Sequence, residues 1–253
     1  MSIITKVQIL NDIKDYCLNP KIIIDSEDIP IENLSQIPSS WLNLLSLEKI
    51  NFAKLRELWH PVIDKFEIVI EDLESRLQGL VILLEDNQPP SLLYVFLNEQ
   101  ELYYHRGFPP IEEQEISHKI KPFWLQLPKY IKKLYTIHNG WVSMFDLSMG
   151  HKPIDNLSIL SWSEWNLESE VIKNLPFNYK KTIIIFSNGG SGYIGFELPK
   201  PEEIAEPRPL IFWSNKPTQP DLNINFWTIF NSWITIDLQE KDYNQEWMEE
   251  MDE

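Results

Sequence analysis

The sequence predicts an α+β fold, a mainly antiparallel sheet flanked by helices, from three patterns. Leu55, Trp59, Val62, Phe66, Val69, Leu73 and Leu77 recur at steps of three or four, the period of one apolar helix face. Leu80–Leu84, Leu92–Leu97 and Glu101–His105 are short β-rich runs separated by Asp86-Asn87-Gln88-Pro89-Pro90 and by Asn98-Glu99, as in an antiparallel meander. Beyond Gly140, strand-like runs and turns alternate until a closing amphipathic helix.

Taken in order, the chain opens with a helix near Ile3–Leu18, then the apolar run Ile22-Ile23-Ile24 and a loop rich in Asp, Glu, Pro and Ser. The helical segment from Leu47 contains Pro61, which should break or kink it, and Gly79 offers a C-terminal stop. Arg106-Gly107-Phe108-Pro109-Pro110 closes the meander. A second helix starts at Pro128, whose missing N–H costs nothing in a first turn, and Asn139-Gly140 fits a left-handed stop. Its Ile131, Leu134, Tyr135 and His138 share one side, with Lys129, Lys132 and Lys133 on the other.

Later strands are expected at Val142–Asp146, Leu157–Ser161, Thr182–Phe186, Tyr193–Leu198 and Leu210–Trp213, with Pro199–Pro209 a loop rich in Pro and Glu. The closing helix covers Ile224–Leu238 and gathers Phe226, Ile229, Phe230, Trp233 and Ile234 on one face. A boundary near residues 110–122 divides an N-terminal α+β region, 1–120, from residues 121–238, and 239–253 form an acidic tail.

Composition narrows the function. A formal charge of −16 repels phosphate backbones and anionic membranes, which argues against nucleic acid or membrane as a direct ligand. The same charge would accelerate capture of a basic partner protein. Seven acids and one base lie in the last fifteen residues. The N-terminus lacks a basic region followed by an apolar one, and no apolar run approaches the ~20 residues of a membrane helix, so a cytoplasmic location is expected. The single cysteine, Cys17, excludes an internal disulfide and reads as an ordinary buried residue.

Motifs for chemistry are sparse. Ser187-Asn188-Gly189-Gly190-Ser191-Gly192 leads into the alternating Tyr193–Leu198 run, so it reads as a hairpin and not as a phosphate loop, which opens a helix. No two of the five histidines stand at metal-ligand spacing, and His138 reads as a core imidazole. No nucleophile elbow occurs. Asp146, Asp155 and Glu164 lie in loops where a carboxylate pair could assemble, yet exposed acids in an acidic chain are mostly solvated. Neither cofactor nor metal is expected. Ten tryptophans stand out: Trp141 follows the helix stop, Trp162 and Trp165 flank Glu164, and Trp213 ends a strand.

Four stretches in collinear order resemble the SUKH superfamily, which includes fungal cell-wall assembly regulators and many bacterial immunity proteins. They are the helix Leu127-Pro128 through Asn139-Gly140, the strand and turn Ile154–Trp165, and the hairpin joining Thr182–Phe186 to Tyr193–Leu198 through Gly190-Ser191-Gly192. The fourth is Pro209-Leu210-Ile211-Phe212-Trp213 with the helix Phe226–Ile234. The likeness spans roughly Leu125–Leu238. Tyr193 stands where many members have an acid after the hairpin glycine, and Ser214-Asn215 where many have an acid or histidine, so the family's cleft chemistry does not carry over.

What the resemblance implies is a non-enzymatic immunity protein that binds a cognate bacterial toxin and neutralises it by stoichiometric occlusion; the charge of −16 suits a basic toxin, as nuclease toxins commonly are. Trp141, Asp146, Glu164, Trp165, Tyr193 and Trp213 are the residues expected to form the binding surface. A regulatory scaffold and a carboxylate-dependent hydrolase are the alternatives.

Overall fold

The computed structural model describes residues 4–98, 101–145, 147–162, 167–199 and 206–239. Thr5 and Gln8 form a reciprocal capping box that starts α1 (Lys6–Ile13), shorter than the sequence led us to expect. The isoleucine run is strand β1 (Lys21–Ile23). Single turns α2 (Ile31–Leu34) and α3 (Ser39–Leu42) each begin after a proline.

Pro61 divides the long helical segment as expected. Helix α4 (Phe52–Trp59) passes through a 3-10 turn at His60–Val62 into α5 (Ile63–Arg76). All seven residues of the predicted apolar face are buried. Gly79, however, is not a helix stop. Strand β2 (Leu77–Leu84) starts directly after α5, and Gly79 sits where its register shifts against β3 (Ser91–Asn98). Ser46 exchanges two backbone hydrogen bonds with Leu80 there, so another piece of chain lies against that point. Strand β4 (Glu101–Gly107) completes the meander.

After α6 (Lys121–Trp124), Pro128 caps α7 (Lys129–Tyr135), and Ile131, Leu134, Tyr135 and His138 are buried on one side. The Asn139-Gly140 pair has a different role from the expected one. The helix is over by Thr136, while Gly140, at φ +92°, turns the chain into β5 (Trp141–Ser143). A β-carbon at Gly140 would lie 2.5 Å from the Pro153 nitrogen. Asn139 donates its N–H to the carbonyls of Phe108 and Pro109 and accepts from the Ile154 N–H through Oδ1. The pair is therefore a strand entrance pinned from both sides.

The remaining elements are β6 (Gly150–His151), β7 (Ser158–Ile159), α8 (Ser169–Lys173), β8 (Thr182–Ser187), β9 (Gly192–Glu197), β10 (Arg208–Trp213), β11 (Asp221–Leu222) and α9 (Phe226–Gln239). The glycine cluster is a β8–β9 hairpin in which Asn188 Oδ1 accepts from the N–H groups of Gly190 and Gly192. Eleven strands form one sheet, all pairs antiparallel, ordered β1-β2-β3-β4-β5-β6-β8-β9-β10-β11 with β7 on β8. The expected 110–122 boundary falls on the connection between β4 and β5, and those strands pair with each other.

Alternation along the strands separates two faces. Leu80, Ile82, Tyr94, Phe96, Ile183, Phe196 and Ile211 point into the main core with α4, α5, α7 and α9. On the opposite face Val81, Leu83, Leu93, Val95 and Tyr104 meet α1, and Ile184, Leu210 and Phe212 meet Leu160 and Phe177. These are two separate patches on one face. No helix among the described residues is long and apolar enough to cross a membrane.

Candidate functional site

A cavity of 820 Å³ opens beside α1, lined by residues from five distant stretches that include Tyr16, Glu85, Arg106, Phe108, Phe145 and Asp155. Arg106 belongs to the strand face of Tyr104 and Leu102, which buries it under the α1 side. Its Nε donates to Ser91 Oγ at 2.9 Å, its Nη2 lies 2.6 Å from Glu85 Oε2, and its guanidinium sits 4.7 Å over the Phe108 ring. The Arg106 and Glu85 side chains are only 8% and 7% exposed. Their contact is an ion pair by distance but is misaligned for a hydrogen bond.

Removing one partner from such a pair strands a buried charge, whereas removing both does not. Glu85→Gln and Arg106→Met are each expected to cost about 3 kcal/mol in denaturant unfolding. The double variant should recover most of that loss, and additive losses would show that the two charges are independent. Cys17 lies beside the pair. Burial and the Glu85 carboxylate push its thiol up to about 11, so it is held neutral.

The outer wall is apolar and open to solvent. Tyr16, Phe145 and Leu147 are 60%, 37% and 46% exposed, with the Tyr16 and Phe145 rings 4.7 Å apart. Leu147 has φ +55°, a left-handed backbone that a leucine rarely adopts. The tight turn around it is held by Ser143 N–H on the Ser148 carbonyl at 2.8 Å and Leu147 N–H on the Ser143 carbonyl at 3.1 Å. Glu115 and Asp155 are exposed carboxylates of the same cavity.

Beneath the cleft a buried relay ties its wall to the core. Trp59 Nε1 donates to Tyr94 Oη at 3.2 Å, and Tyr94 Oη lies 2.8 Å from His138 Nε2. His138 Nδ1 faces the Phe108 carbonyl at 3.2 Å, so that nitrogen carries the proton and Nε2 accepts from the tyrosine. His151 Nε2 donates to the His138 carbonyl at 3.0 Å. Burial, with His151 adding for His138, lowers these imidazoles to about 3 and about 4, and both are neutral at pH 7. A third histidine, His105, joins Tyr103 on Asp237 Oδ2, both at 2.6 Å, fastening the end of α9 to β4.

Of the residues expected at the binding surface, the three that are described, Trp141, Tyr193 and Trp213, do not share one surface. Trp141 is fully buried, packed edge-on against Trp59 at 5.2 Å and against His105 at 4.5 Å. It stands in a central strand with chain on both sides, which removes it from any partner. Tyr193 and Trp213 are half-buried on adjacent strands but point to opposite faces: Tyr193 packs with Phe212, and Trp213 meets Trp233 and donates to Asp221. Asp146, Glu164 and Trp165 lie outside the described residues, as does the acidic tail from residue 240.

Tyr16, Arg106 and Phe145 were not foreseen. Arg106 was read in the stretch that closes the meander, and its place on a buried strand face follows only from β4 running on to Gly107. Among the described residues no group of His, Cys, Asp and Glu side chains is placed to hold a metal ion. Fold and site together describe an α+β protein with an aromatic-walled, net acidic cleft. No family model, curated protein or solved structure matches the chain.

Proposed function

We propose that this protein is a cytoplasmic immunity-type binding protein that captures a basic toxin and neutralises it by stoichiometric occlusion. The observation that carries the reading is the cleft wall, where Tyr16, Phe145 and Leu147 leave large apolar surface open beside Glu115 and Asp155. Binding hot spots combine aromatic anchors with a polar rim, and an acidic rim selects a basic partner. The charge of −16 adds long-range steering that speeds encounter at low salt. The SUKH resemblance of residues 125–238 points the same way.

The test pairs this protein with the product of a toxin gene encoded beside it. Co-expression is expected to protect cells, with one-to-one binding by calorimetry and an association rate that falls as salt rises. Tyr16→Ala combined with Phe145→Ala should weaken binding roughly a hundredfold in a protein that still unfolds cooperatively. Failure to protect sinks the immunity reading. Binding without protection would indicate a scaffold.

A further inference from the structure

The cleft beside α1 already holds one arginine in the surroundings that suit a guanidinium. Arg106 lies 4.7 Å over the Phe108 ring, with Glu85 Oε2 at 2.6 Å from its Nη2. A ring face beneath and a carboxylate at the edge are the contacts a guanidinium takes best. At its open side the cleft offers both kinds again. Tyr16 and Phe145 present exposed ring surface, and Phe145 is backed edge-on by Tyr104 at 5.8 Å. Tyr104 Oη in turn donates to Asp12 at 2.8 Å, so the wall is braced from behind.

Asp155 supplies the carboxylate. It belongs to the 3-10 turn Ile154–Asn156, which is held in place by Ile154 N–H on Asn139 Oδ1 and by Asn156 N–H on the Pro153 carbonyl at 2.9 Å. The Asp155 carboxylate is exposed and has no hydrogen-bond or ion-pair partner among the described residues. Glu115, the other exposed acid, already accepts from the Glu112 N–H at 2.8 Å. Arg106 is the one base among the described lining residues, against Glu85, Glu115 and Asp155, and Glu85 neutralises it, so the cleft favours a cation. A lysine ammonium is compact and strongly hydrated and gains little from an apolar wall. A guanidinium is planar and weakly hydrated, stacks on rings and donates in its own plane.

We propose that this cleft receives an arginine side chain of the basic partner, its guanidinium against Tyr16 and Phe145 and its donors on Asp155. The inference rests on the reading of the cleft as the partner-binding surface, and it narrows the partner to one that projects an exposed arginine.

Titrating the full chain with two capped tripeptides, Gly-Arg-Gly and Gly-Lys-Gly, and following backbone amides by NMR tests this with no toxin present. The arginine peptide is expected to bind roughly fivefold tighter than the lysine peptide, with shifts concentrated at Tyr16, Phe145, Leu147 and Asp155. Asp155→Asn, at an exposed position compatible with folding, should weaken the arginine peptide roughly tenfold. Asp64→Asn, an exposed acid on α5 across the sheet, should leave it unchanged. Equal affinity for the two peptides, shifts spread over remote acidic surface, or parental affinity in Asp155→Asn would overturn the proposal. Cells protected by co-expression alongside such a result would overturn arginine recognition alone. Arginine selectivity without protection would uphold it and remove the toxin.

Discussion

Gly150→Ala is expected to lower stability by about 3 kcal/mol or more, seen as a shifted denaturant midpoint or as loss of folded protein. A β-carbon at Gly150 would lie 1.8 Å from the Trp141 carbonyl oxygen and 2.8 Å from its carbon. Both are backbone atoms, so no side-chain rotation relieves the clash. The position matters because β6 is only two residues long and is the link between β5 and β8 in the strand order. Trp141 pairs with His151, and Gly150 and His151 pair with Ser187 and Phe186. Prising β5 from β6 therefore opens the seam between the meander and the C-terminal strands, with Trp141 and its aromatic neighbours at the opening. Gly190→Ala is the control: the nearest atom to its added carbon is Asn188 Oδ1 at 3.6 Å, and its change should stay within about 0.5 kcal/mol. Equal midpoints for the two variants would contradict the close approach at Gly150.

Legibility followed the length scale of each feature. The seven-residue face from Leu55 to Leu77 was readable because every position on it is buried against the same core, and a sustained period survives local noise. The meander was readable through its turns. Strands β6 and β11, at two residues each, are too short to show alternation, and they exist because longer neighbours hold them. Gly79 and Gly140 were recognised as special, and Gly140 has the left-handed φ expected of it, +92°, but neither ends a helix. Both follow helices, where a stop is the usual reason for glycine, but the real constraints are Ser46–Leu47 and Pro153 arriving from elsewhere in the chain.

The cleft was hidden for the same reason. Tyr16, Glu85, Arg106, Phe145 and Asp155 span 140 residues and have no spacing in common. Only the strand order brings them together. Tryptophan count pointed to aromatic surface, and the structure divides it: Trp141 and Trp59 are core, while the exposed wall comes from a tyrosine and a phenylalanine. Burial, which decides between the two uses of an aromatic residue, is a property of the whole sheet.

Acid should destabilise this protein well before its carboxylates are neutralised, through His138 and His151. Each has an ordinary value of 6.5 when unfolded and is lowered on folding, to about 3 and about 4, because burial penalises the imidazolium. Between those limits the unfolded chain binds protons that the folded chain refuses. Stability from this source is complete above pH 6.5 and is lost as pH falls below it. Each histidine contributes about 1.4 kcal/mol per pH unit in that window, so the pair removes about 5 kcal/mol between pH 7 and pH 4.5. Denaturant midpoints measured across that range should fall steeply. His138→Gln and His151→Gln, whatever their cost at pH 7, should each flatten the fall by about half, because glutamine takes up no proton in either state. The location of these groups gives the effect a functional edge. Protonating His138 Nε2 would remove the acceptor of Tyr94 and place a charge next to the Phe108 carbonyl, whose ring lies under Arg106 at the cleft. Midpoints independent of pH from 7 to 4.5, or variants with the parent's slope, would rule out neutral buried imidazoles at these positions.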